Sequence, residues 1–198
     1  RGLVEGRGQR ERLEKLEEIT AAMEKTVALV AAYLHAARFG ANELMAAYVD
    51  GTSDDWMPAS PPLDEEAERL LNGFGRKNGV ALFPFSERAI RQLVNDRYRA
   101  ERERLGGECP FVPRDVVTTL MKRVLDHRNA FLSGAFPSTS FVVDRGAVLG
   151  TAERTWLDAC NIVDAETRTR VARFLPYWGC NREAAQTFGL PAPRESIA

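Results

Sequence analysis

From residue 8 to residue 39 the chain repeats one spacing. Leu13, Leu16, Thr20, Met23, Val27, Val30 and Leu34 fall three or four positions apart, and Gly40 ends the run. At 3.6 residues per turn they line one face of a single long helix. A helix of that length needs a cover for its apolar face, and two covers fit. One is a partner helix, with subunit contacts through Leu13, Leu16, Met23, Val27, Val30 and Leu34. The other is the chain's own domain. Ala28, Ala31, Ala32, Ala36 and Ala37 widen the stripe beyond a two-stranded seam, which favours packing within the domain.

The rest of the chain reads mainly as helix too. A short helix over 42–49 has Asn42 as its N-cap. Residues 50–62, rich in Gly, Ser, Asp and Pro, read as a linker. Asp64, Glu65 and Glu66 open a helix to Asn72, their charge matching the positive end of its dipole. Gly73 to Gly79, G-F-G-R-K-N-G, reads as a helix stop and turn. A short strand is expected over 80–83. Ser86 then caps a helix over 87–104 with Ala89, Ile90, Leu93, Val94 and Arg97 inward. Pro113 starts another helix, where its missing N–H costs nothing. Val116, Val117, Leu120, Met121, Val124 and Leu125 form its apolar face. Residues 136–140 read as loop, 141–143 as a short strand, and 151–160, 165–175 and 182–188 as helices. The expectation is a mainly α helical array with at most one or two short strands. It divides into a helical segment over 1–78, a strand with a helical unit over 79–135, and a small helical subdomain over 136–198.

Composition bounds the function. Of 198 residues, 44% are hydrophobic and 28% charged, with a formal net charge of -1. That balance fits a globular protein and gives no global pull towards nucleic acid or acidic lipid. Cys109, Cys160 and Cys180 form no C-x-x-C pair, which disfavours zinc and redox motifs. With no N-x-[ST] sequon, no signal peptide and no apolar run of ~20 residues, a cytoplasmic location without a membrane span is expected. The first residue is Arg1 rather than Met, which reads as a trimmed piece of something longer.

A P-loop requires G-x-x-x-x-G-K-[ST], so that glycine N–H groups wrap phosphates and the lysine neutralises them. The sequence has no such match: Lys25, the lysine followed by Thr, sits mid-helix behind Glu24. Arg114 is the residue that points to phosphate chemistry. A guanidinium in the first turn of a helix lies beside the positive end of the dipole, unfavourable by a few tenths to ~1 kcal/mol. A shared anion reverses that sign. A carboxylate from Asp115, Glu87 or Glu108 would reverse it equally well.

Two segments carry a resemblance: Leu82-Phe83-Pro84-Phe85 with Ser86-Glu87-Arg88-Ala89-Ile90, and Val112-Pro113-Arg114-Asp115. Together they resemble the lid entry and sensor-2 helix of AAA+-type P-loop ATPases, in particular the large ATPases of bacterial phage-defence systems of the phosphorothioation-dependent restriction type. Ser86 and Val112 stand where that pattern has asparagine, and the likeness covers about a quarter of the chain. It implies that Arg114, introduced by Pro113, contacts the γ-phosphate of ATP and couples hydrolysis to lid movement. ATP and Mg would be held by a P-loop region outside this chain, which by itself would not be catalytic. The alternative is a non-enzymatic helical interaction or oligomerisation module.

A second alternative lies at 173–191. Gly179, Asn181, Ala184, Ala185, Phe188, Gly189 and Leu190 resemble the first half of a Fis-like helix-turn-helix. Pro191 and Pro193 leave no room for a reading helix, so DNA contact is expected at most through a larger complex. The two histidines, His35 and His127, have no partners at metal-ligand spacing and read as structural. Ser138-Thr139-Ser140 lacks a nucleophile context.

Overall fold

The computed structural model describes residues 2–48, 62–105, 112–141 and 149–193. The fold is mainly α, with one two-stranded sheet among the described residues. Helix α1 (Gly2–Phe39) is 38 residues long and is followed by α2 (Ala41–Ala47). Met23, Val27, Val30 and Leu34 are buried, so this half of the stripe packs within the chain. Thr20 is exposed, and the side chains of Leu13 and Leu16 lie outside the described set. Gly40, at φ 78°, is the N-cap of α2, so Asn42 falls inside that helix rather than before it. The linker expected over 50–62 lies outside the described residues apart from Pro62.

Asp64 caps α3 (Glu65–Asn72) by accepting from the Ala67 N–H at 2.8 Å. Strands β1 (Arg76–Lys77) and β2 (Val80–Ala81) then pair antiparallel around Asn78-Gly79. Both turn residues have positive φ, 50° and 78°, as a two-residue hairpin demands. The segment read as a turn is thus half of a hairpin, and the strand is shorter than 80–83.

Helix α4 (Glu87–Leu105) buries Ala89, Ile90, Leu93 and Val94 as its periodicity requires. Beyond the undescribed residues 106–111, Pro113–Asp115 (α5), a π-helical stretch Val116–Met121 and Lys122–Leu125 (α6) form one continuous helical run. Val116 and Met121, five positions apart, both face the core, the repeat of i→i+5 winding. Leu125, one α turn beyond buried Met121 and the last residue of α6, is 54% exposed instead of sharing the apolar face.

Helix α7 (Arg128–Leu132) follows, then a loop through Phe141, which is buried in a bend; Val142 and Val143 of the expected strand lie outside the described residues. Helices α8 (Thr151–Ala159), α9 (Ala165–Trp178) and α10 (Arg182–Thr187) complete the chain. α9 continues through Pro176 to Trp178, three residues beyond its expected end. One hydrophobic cluster draws on α1, β2, α4, the π stretch, α8, α9 and α10. Its centre is aromatic, with Trp178 stacked on Phe174 at 5.4 Å and edge-on to Phe188 at 4.9 Å.

Candidate functional site

Val112 enters the α5 turn extended, at φ -117° and ψ 99°, and its carbonyl accepts from the Val116 N–H at 3.2 Å. Pro113 occupies the first turn, and no side chain caps it. Arg114 is exposed there, and the Thr118 hydroxyl donates to its carbonyl at 2.8 Å. Val116, Met121 and Val124 anchor the run in the core. The turn that carries Arg114 is therefore fixed from below while its guanidinium faces solvent.

Among the described residues, Arg114 has no ion-pair partner. Glu87, one of the carboxylates able to neutralise it, binds Arg91 instead at 2.6 Å. Glu108 lies outside the described residues. Asp115 is half-buried and engaged in its own interaction.

Several other arginines among the described residues are built into the fold. Arg88 donates to the Pro176 carbonyl at 2.9 Å and to Glu153 at 2.6 Å. Arg91 joins Glu87 to Glu24, and Glu24 also binds Lys77, so one carboxylate of α1 ties down both the hairpin and α4. The Lys77 ammonium, with Arg91, holds the Glu24 carboxyl below its ordinary value. Arg38 donates to the Ala81 carbonyl at 2.6 Å, and burial lowers its pKa. Arg170 donates to the Phe136 carbonyl at 2.7 Å, and burial lowers its pKa likewise.

Thiol chemistry is disfavoured at the two described cysteines. Burial pushes the Cys160 thiol up to about 11 and raises that of Cys180 too, so both stay protonated at neutral pH. His35 packs tilted against Phe39 at 5.1 Å, and His127 lies against Phe141 at 5.3 Å and Phe136 at 5.9 Å. Among the described residues, no group of three His, Cys, Asp or Glu is placed to hold a metal ion, and no helix is long and apolar enough to cross a membrane.

The helix-turn-helix-like motif is turned inward. Asn181 caps α10 by accepting from the Ala184 N–H at 2.8 Å, and its amide donates to the Gly73 carbonyl at 2.8 Å. Ala184 and Ala185 are fully buried, and Arg182 donates to the Pro193 carbonyl. A Cβ on Gly73 would stand 2.6 Å from the Glu183 Cβ, so the α3–α10 contact needs glycine there. The signal for this pairing, small residues on both sides, is present in the sequence, but its partner lies more than a hundred positions away.

No protein-family model matches this chain, and neither a curated protein nor a solved structure matches it.

Proposed function

We propose that this chain is the nucleotide-sensing, lid-type part of an AAA+-like P-loop ATPase acting in a bacterial defence or DNA-transaction complex. Arg114 is its sensor arginine, presented by Pro113. The observation that supports this reading is the pairing of an exposed guanidinium, without an ion-pair partner among the described residues, with a helix first turn anchored in the core. Both the cation and the dipole favour an anion at that point. A γ-phosphate bound on a P-loop from outside these residues supplies one; ATP and Mg are ligated by that P-loop region, and Arg114 adds the last charge-assisted contact. Such a contact is worth about 1.5–3 kcal/mol.

The test is steady-state ATP hydrolysis by the P-loop protein that carries this chain. Arg114→Ala is expected to slow turnover roughly ten- to a hundredfold, the rate equivalent of that contact. An unchanged rate in a folded variant counts against the sensor role. The chain alone is expected to hydrolyse no ATP above background; turnover abolished by changing one of its own residues overturns the assignment.

The second reading, a helical interaction module, draws on α2. None of its residues is buried, and Met45 is 75% exposed.

A further inference from the structure

Four phenylalanine rings meet where the loop after β2 approaches α7 and α10. Phe83 and Phe131 lie 5.9 Å apart, Phe131 and Phe188 5.5 Å, and Phe136 and Phe188 5.3 Å. They floor an open cavity of about 250 Å³, walled by Val124 and Leu125 of α6 and Leu132 of α7. A void of roughly 150 Å³ is enough for a benzene ring. This one has room for an aromatic ring and an aliphatic chain together.

Two features specify the occupant. The apolar surface does not stop at the mouth: Leu125 and Leu132, on separate helices, are 54% and 65% exposed. A ligand confined to the cavity would cover only the inner faces of these two wall leucines, whereas a segment lying across the mouth covers the rest of their surface as well. The second feature is charge. Among the described residues, Arg128 is the charged group on the wall and no carboxylate lines it. Arg128 is exposed and has no ion-pair partner among the described residues, whereas Lys122 nearby in sequence is held by Asp126 at 2.7 Å.

We propose that this groove receives an acidic amphipathic helix of a partner protein. Two large apolar side chains of that helix enter the cavity and cover Leu125 and Leu132, and a carboxylate beside them meets Arg128. The proposal is independent of the Arg114 reading, since none of these residues belongs to the α5 turn.

The experiment is a fluorescence-anisotropy titration of the whole chain with a labelled glutamate-rich amphipathic peptide carrying leucines at i, i+3, i+4 and i+7. A lysine-for-glutamate counterpart and unlabelled decanoate serve as comparisons. Saturable binding of the glutamate peptide is expected, with the lysine peptide at least about tenfold weaker, because rim charge selects the partner. Leu132→Glu should lose about thirtyfold or more in affinity, the scale of a central anchor. Leu132→Ser keeps that conclusion independent of the introduced charge, and an unchanged melting curve shows that each variant is folded. Arg128→Glu should weaken binding about tenfold and reverse the preference between the two peptides. No binding, equal binding of the two peptides, or binding indifferent to both Leu132 variants overturns the proposal. Decanoate binding at this groove without peptide binding also overturns it, in favour of a small amphiphile.

Discussion

Two helices of this protein carry an arginine as their second residue, and the fold treats them in opposite ways. At the start of α4, Phe85 is fully buried, and Ser86 caps the helix by accepting from the Ala89 N–H at 3.0 Å. The Ser86 hydroxyl also donates to the Tyr177 carbonyl at 2.9 Å, and Arg88 donates to the Pro176 carbonyl at 2.9 Å. These carbonyls belong to the last turn of α9, which has no N–H groups of its own to meet them. Arg88 thus stands in the first turn of its own helix but at the negative end of another, where a cation is welcome. Arg114 stands in the first turn of α5 with no such neighbour among the described residues. An arginine at a helix N-terminus is therefore not a signal by itself. What distinguishes the two is whether a second helix end is there to receive the charge.

The comparison breaks most visibly if the buried start is hollowed out. Phe85→Ala removes a fully buried ring beneath Ser86 and is expected to cost about 3–5 kcal/mol, measured as a shift of the denaturant midpoint. A loss below about 1 kcal/mol would show that this turn is less firmly built than its burial suggests.

Next in size is the cap. Ser86→Ala removes one acceptor at the α4 N-terminus and one donor to the α9 C-terminus, and about 1–2 kcal/mol of destabilisation is expected. Val112 offers the contrast: no side-chain cap exists at α5, so Val112→Ala should move the same denaturation midpoint far less.

How much of this was legible beforehand follows from the range over which each interaction acts. Asp64, Ser86 and Pro113 were readable as helix starts because a cap depends on residues within three positions. The buried half of the α1 stripe was readable from spacing alone. The Asn78-Gly79 hairpin was missed because neighbouring glycines drew the segment towards a turn, although Asn-Gly with positive φ is itself a strand-pairing signal. Pro176 invited an early end to α9. The helix continues because the Pro176 and Tyr177 carbonyls find Arg88 and Ser86, some ninety positions back in the chain. A 3.6-residue repeat places Leu125 inward with Met121, so its exposure at the last residue of α6 was not legible from local spacing. At the candidate site, local sequence placed Arg114 at a helix start, but its freedom from Glu87 rests on the ion pair Glu87 makes with Arg91.

The two arginines themselves give a smaller and sharper difference. Arg88→Ala is expected to cost about 1 kcal/mol, because its side chain is half-exposed and solvent screens the pair with Glu153. Arg114→Ala should leave stability within about 0.5 kcal/mol, as exposed substitutions without partners do. Parallel thermal melts decide it. Equal destabilisation would mean that Arg114 has a structural counter-ion, and the sensor assignment would lose its support.

The smallest effect expected is on acid stability. The Arg88 guanidinium, helped by backbone N–H groups at Glu153 and Gly150, holds the Glu153 carboxyl below its ordinary value of 4.5. In the unfolded chain that carboxyl returns to the ordinary value. The folded state therefore binds the proton less readily than the unfolded one, and the pair contributes stability that is fully present above about pH 4.5. That contribution fades as pH falls through the lowered value. Glu24 and Asp164, also lowered, fade over the same acid range, so the wild-type slope alone does not isolate the pair. Glu153→Gln does: it accepts from Arg88 without titrating. Its stability should be lower than wild type at neutral pH, and the gap should narrow as the pH drops below 4.5. A gap at Glu153 that stays constant down to the acid limit would mean that Arg88 is held by the Pro176 carbonyl alone. The closed helix start would then depend on backbone capture rather than on its ion pair.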